Sequence, residues 1–131
     1  MVTTKPCILV ADDDQLVHAA FSQLLAFSGY DVRSAWDGEE VVAKAREERP
    51  DLILLDIMMP KRNGILVAQD LKTHPETSDI PIIIVTGLSG TPAAQVTRAE
   101  VYLQKPVRPN DLLDAVRRLL TDRGITPPEP I

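Results

Sequence analysis

Short apolar runs that end in a polar residue recur along the chain. Leu52 to Leu55 are consecutive apolar residues that lead into Asp56, with Pro50 before them and Pro60 after. A run this short, unbroken and bounded by breakers predicts a strand buried on both faces. Ile8 to Ala11 is a second such run and ends in Asp12, Asp13 and Asp14. Ile82 to Val85 is a third, ending in Thr86 and Gly87. Val101 to Leu103 is a weaker one, followed by Gln104, Lys105 and Pro106. Tyr30 to Ala35 alternates loosely and reads as another short strand.

Helical periods lie between these runs. Asp14 to Ser28 carries an apolar stripe at Leu16, Ala20, Leu24 and Phe27, with Gly29 placed for a left-handed C-terminal cap. Asp37 and Glu40 have capping-box spacing and open a helix that must stop before Pro50, with Val41 and Ala45 inward. Asn63 caps a third helix that buries Val67, Ala68 and Leu71 and ends at His74 and Pro75. Thr91 and Pro92 open a short fourth helix before Val101. Pro109 opens the last, with Leu112, Val116, Leu119 and Leu120 buried and Gly124 as its stop. Arg117, Arg118 and Arg123 suit the negative end of its dipole. The remaining ITPPEPI should be extended or disordered.

Strands alternating with helices predict an α/β fold, a single doubly wound (βα)5 domain with helices on both faces of a five-stranded parallel sheet. The domain is expected over residues 1–124, followed by a proline-rich tail at 125–131. Parallel strands would bring Asp12, Asp13, Asp56, Thr86 and Lys105 to the carboxyl edge of the sheet, where such folds bind ligands.

Composition narrows the class. A chain of 131 residues is one domain, able to bury about two-thirds of its unfolded surface. The net charge of −5 argues against a basic nucleic-acid face. No apolar run approaches the roughly 20 residues of a membrane span, and the start of the chain does not read as a signal peptide. The single Cys7 reads as a buried, inert thiol in a reducing compartment, which suits the cytoplasm. His18 and His74 share no ligand spacing and are expected on the surface. Trp36 is expected at the sheet edge or partly exposed.

The clustered acids have a chemistry of their own. Carboxylates 4 Å apart repel by roughly 4 kcal/mol per pair at an effective dielectric near 20. A divalent cation and a lysine relieve that repulsion. Magnesium prefers hard oxygens and keeps several waters. An aspartate carboxylate can attack phosphorus to form an acyl phosphate. Cation, lysine and threonine would then stabilise charge on the transferring oxygens.

In this order and spacing, ILVADDDQ, LILLDIMMP, IIIVTG and VYLQKP resemble the receiver domain of bacterial two-component response regulators, from about Cys7 to Leu120. The resemblance implies a flavodoxin-like strand order 2-1-3-4-5. It implies that Asp56 is the phospho-acceptor, and that Asp12, Asp13, Asp56 and the backbone carbonyl of Met58 hold Mg2+ or Mn2+. Thr86 and Lys105 would contact the phosphoryl group, Thr86 and Tyr102 would form the switch, and the Lys105–Pro106 bond would be cis. The phosphoryl donor would be a sensor histidine kinase or phosphotransfer protein. Output would be contact with a downstream protein, without direct nucleic-acid or membrane binding, from a monomer or weak dimer. The protein would not be an enzyme beyond Mg-dependent self-phosphorylation and self-dephosphorylation. Asp14 reads as a helix cap or kinase contact rather than a metal ligand.

Two alternatives accompany this reading. The chain is an excised receiver of a longer regulator or hybrid kinase, or a haloacid-dehalogenase-like phosphatase using Asp12. The second has Asp-x-Asp spacing at Asp12 and Asp14, but lacks the usual Thr or Val at Leu16, an acidic strand end after Lys105 and room for a cap. The chain departs from the receiver pattern between Thr86 and Tyr102. That segment is short, and Arg98, Ala99, Glu100 and Val101 replace a Gly-Ala-Asp-like turn. Residues 87–100 are expected to be the part that reorders on activation.

Overall fold

The computed structural model describes residues 5–87 and 98–129. Its elements are β1 (Cys7–Ala11), α1 (Gln15–Phe27), β2 (Asp31–Ala35), α2 (Gly38–Glu48), β3 (Leu52–Asp56), α3 (Gly64–Thr73), β4 (Ile82–Thr86), β5 (Val101–Gln104) and α4 (Pro109–Asp122). The strands form one parallel sheet in the order β2-β1-β3-β4-β5. The helix expected after Thr91, and most of the segment expected to reorder, lie outside the described residues. None of the described helices is long and apolar enough to cross a membrane.

Every residue of β3 and β4 is buried, which is why these two strands read as unbroken apolar runs. Successive side chains point to opposite faces. Leu9, Ile53, Leu55, Ile82 and Ile84 pack with Val41, Val67 and Leu71 beneath α2 and α3. Ile8, Val10, Leu52, Leu54, Ile83 and Val85 pack with Leu25, Leu112, Val116 and Leu120 beneath α1 and α4.

Side-chain caps set where the helices begin. Asp14 Oδ1 accepts from the N–H groups of Leu16 and Val17 at 2.9 and 3.2 Å. Asn63 Oδ1 accepts from Leu66 at 3.0 Å, and Asp37 Oδ1 from Glu40 at 2.9 Å. The Glu40 N–H, with Lys61 behind it, holds the Asp37 carboxyl below its ordinary value. Its contribution is therefore present at neutral pH and lost as the pH falls below the carboxylate range. Asp37→Ala is expected to cost about 1 kcal/mol, read as a lower thermal midpoint at pH 7 with the deficit shrinking toward pH 3.

The first helix corrects the sequence reading. Leu16 and Phe27, expected inward, are 83% and 75% exposed. The buried face is instead His18 and Leu25, with Phe21 and Leu24 partly covered. His18, expected on the surface, is 4% exposed and stacks on Trp36 with ring centroids 4.0 Å apart. This helix is apolar on nearly every side, so two stripes satisfy the period. A histidine within the true stripe disguised it. Trp36 itself is partly exposed, as expected. His74 is half exposed and pairs with Asp70.

The unusual turn before β5 has a structural role. Arg98 adopts a left-handed backbone, φ +58°, and directs the chain into Glu100. Glu100 Oε1 accepts from the Ile82 N–H at 2.9 Å, and Oε2 pairs with Lys72 Nζ at 2.8 Å. The largely buried Lys72 also donates to the carbonyls of Ile80 and Ser78. Lys72→Met keeps the apolar stem but strands Glu100 and Ile80. It is expected to lower stability by about 2 kcal/mol, read from the urea midpoint at constant slope.

Candidate functional site at the carboxyl edge of the sheet

The site follows from strand register. Val10 pairs with Leu54 across β1 and β3, and both face α1 and α4. Two residues further along, the same row delivers Asp12 and Asp56 side by side. Asp56 pairs with Val85, and Val85 with Leu103. Lys105 lies two residues beyond Leu103, in the same row again. A shift of one residue in β1, β3 or β5 would send its charged group to the other face. The strand order reverses between β1 and β3, so the two aspartates stand at the switch point where doubly wound sheets bind ligands.

Asp12 and Asp56 are buried, and with exposed Asp13 they bring carboxylate oxygens within 4.8 Å of one another. Lys105 Nζ donates to Asp12 Oδ2 at 2.9 Å and lies 3.4 Å from Asp56 Oδ2. The other Asp12 oxygen accepts from the Asp14 N–H at 2.9 Å. Asp56 is less fully held, with the Met58 N–H 3.4 Å from its Oδ1. Burial, then the charge of Asp12, pushes the Asp56 carboxyl above its ordinary value against the pull of Lys105. Burial alone would lower the Lys105 ammonium. The bond to Asp12 and the charge of Asp56 outweigh it and raise the group. The lysine thus neutralises Asp12 more closely than Asp56. The three carboxylates offer the hard, anionic oxygens a small divalent cation requires.

Thr86 ends β4, is 4% exposed and follows Val85, the partner of Asp56. Its carbonyl accepts from the Lys105 N–H at 2.8 Å. The Lys105–Pro106 peptide is cis. Tyr102 pairs with Ile84 and is partly buried on the same face as Thr86. Met58 has an exposed side chain. Behind the site, Gly64 N–H donates to Ile57 O at 2.8 Å. A Cβ at Gly64 would collide with the carbonyl oxygen of Asp56 and stand 2.7 Å from Ile57 Cα. The start of α3 therefore lies directly on the backbone that presents Asp56. Sequence reading missed this contact, and Gly64 beside the cap Asn63 was its only signal.

The doubly wound parallel sheet in the order 2-1-3-4-5, with an acidic pocket and a lysine at its switch point, belongs to the flavodoxin-like class of α/β folds. The family profile described as response regulator receiver domain matches residues 8–117, and the chain belongs to that family. Its domain type is that of two-component signalling. The chain is 40% identical over 124 residues to the DNA-binding dual master transcriptional regulator RpaA of Synechocystis sp., covering 90% of this chain and 51% of that protein. It is 37% identical to the response regulator MprA of Mycolicibacterium vanbaalenii, covering 92% and 52%. The chain thus spans about half the length of the curated relatives it matches. Among solved structures, a CheY-like receiver domain from Methanospirillum hungatei superposes with TM-score 0.85 at 31% identity, covering 92% of this chain and 98% of that one. A response regulator from Chloroflexus aurantiacus gives 0.84 at 29% identity, covering 90% and 99%.

Proposed function

We propose that Asp56 accepts a phosphoryl group from a phosphohistidine on a sensor kinase or phosphotransfer protein, and that the product changes protein–protein contact. The observation that carries this reading is the Asp12–Asp56–Lys105 cluster, in which Asp56 is the carboxylate less tightly paired with the lysine. A carboxylate oxygen of Asp56 attacks phosphorus, the bond to the donor nitrogen breaks, and the donor imidazole keeps the electron pair. Lys105 is within reach of both the reacting carboxylate and its neighbour, and balances charge as it shifts onto the phosphoryl oxygens. Thr86 supplies a hydroxyl from the adjacent strand end. Asp12, Asp13, Asp56 and the Met58 carbonyl would hold Mg2+ or Mn2+, which supplies neutralising charge to the transferring oxygens when bound.

In the same reading, Thr86 turns toward the new oxygens and Tyr102, its diagonal neighbour on that face, moves inward. Phosphorylation acts only through its differential stabilisation of two such states. The domain is a phospho-acceptor rather than an enzyme, and works in the cytoplasm. The length and names of the relatives support its being the receiver part of a longer transcriptional regulator, with DNA contact made outside these residues. Acetyl phosphate with magnesium tests the reading. One phosphoryl group is expected, mapped to Asp56 by borohydride trapping and mass spectrometry. Labelling at Asp12, as a dehalogenase-type phosphatase requires, would overturn it.

A further inference from the structure

The chain does not leave the domain freely after α4. Ile125 N–H donates to Leu120 O at 2.9 Å, and its side chain packs onto the core beneath α1 and α4. Three residues on, Arg117 Nη1 donates to Pro128 O at 2.7 Å. The Pro128 ring lies against Gly29, where a Cβ would stand 2.7 Å from Pro128 Cβ. Pro128 forms part of the wall of a cleft of about 400 Å³ between α1 and α4. Leu24, Phe27, Tyr30 and Leu113 line the apolar remainder. Tyr30 is 3% exposed, and its hydroxyl has no hydrogen-bond partner among the described residues.

These are the parts of a proline-segment receptor. A segment rich in proline is already extended and loses little entropy on docking, and aromatic-lined grooves with a few donors hold it by its rings and carbonyls. Here Phe27 and Tyr30 supply the aromatic wall. Arg117 supplies the donor, engaged by the Pro128 carbonyl. We propose that the face between α1 and α4 is a docking site for an extended, proline-bearing segment, and that Ile125–Glu129 of this chain is its resident occupant, closing one side of the cleft with Pro128. The segment is a latch. It lies against Gly29 in the α1–β2 turn, so Pro128 sits beside that turn rather than out beyond the end of α4. A partner that uses this face must displace it. The proposal is independent of phosphoryl transfer at Asp56.

The full chain tests it by NMR. Thr126 and Glu129 are expected to show backbone heteronuclear NOE values close to those of α4. Arg117→Ala and Pro128→Gly should each drop them to free-tail values and shift the methyl resonances of Leu24 and Leu113, while the amides of β1 and β3 stay in place. A synthetic ITPPE peptide should then shift those methyls in the Pro128→Gly chain and leave the unmodified chain unchanged. Free-tail NOE values in the unmodified chain, or methyls unmoved by both substitutions, would overturn the latch. Equal peptide shifts in both chains would overturn residence of this segment in the groove.

Discussion

Asp56→Asn is expected to abolish phosphoryl labelling while raising the thermal midpoint of the unlabelled chain. The first effect is chemical, because the amide oxygen is a poor nucleophile and cannot yield the acyl phosphate. The second comes from the electrostatics of the pocket. Burial and Asp12 raise the Asp56 carboxyl, so folding favours its protonated form. Its contribution to stability is full below the unfolded value and is lost as the pH rises through the folded one. At neutral pH the ionised group is therefore a burden, and the neutral isostere removes it. The stability advantage of Asn should shrink as the pH is lowered toward the carboxylate range. Added magnesium should narrow it too, since a cation stabilises only the form that binds it. Paired melts at pH 7 and pH 4, in chelator and in magnesium, check all three. A less stable Asn variant at pH 7 in chelator would mean that the Lys105 contact outweighs the burial of charge.

Gly64→Ala is expected to cost about 3 kcal/mol, or roughly 10 °C in Tm. The added methyl meets backbone rather than a side-chain tip, namely the Asp56 carbonyl and Ile57 Cα. Neither can swing away, because Asp56 is fixed in β3 and the Ile57 carbonyl accepts from Gly64 itself. Relief must come from sliding α3 off the sheet or tilting the strand end. Either movement displaces Asp56, so the rate of labelling by acetyl phosphate should fall along with stability. Gly87→Ala is the control. A Cβ there meets nothing within 4 Å among the described residues, and its melt should match the parent closely. Equal behaviour of the two variants would show that the α3 start has more room than its contacts indicate.

How much of this was legible beforehand follows from what each residue answers to. β1, β3 and β4 are buried on both faces, so burial alone dictates their apolar runs and their ends could be read directly. Because the period of a strand is two, the convergence of Asp12, Asp56 and Lys105 also followed once the sheet was taken as parallel. The caps Asp14, Asp37 and Asn63 act within a few residues, and local chemistry predicted them. The buried face of α1 was misread because the helix offers two apolar stripes, and only tertiary packing selects His18 and Leu25. Glu100 looked like a departure from pattern. Its meaning rests on Lys72 and Ile82, 28 and 18 residues away in sequence, and no local signal carries such a distance.

The Lys72–Glu100 clamp also bears on how the chain tolerates change. β5 is registered by contacts at its own first turn: Glu100 to Ile82 by backbone and side chain, and Glu100 to α3 through Lys72. Lys105 then follows from the pairing of β5 with β4. The clamp thus works as a ruler: it fixes the distance from Ile82 to the pocket, and one residue added between Glu100 and Lys105 would turn the ammonium to the opposite face of the sheet.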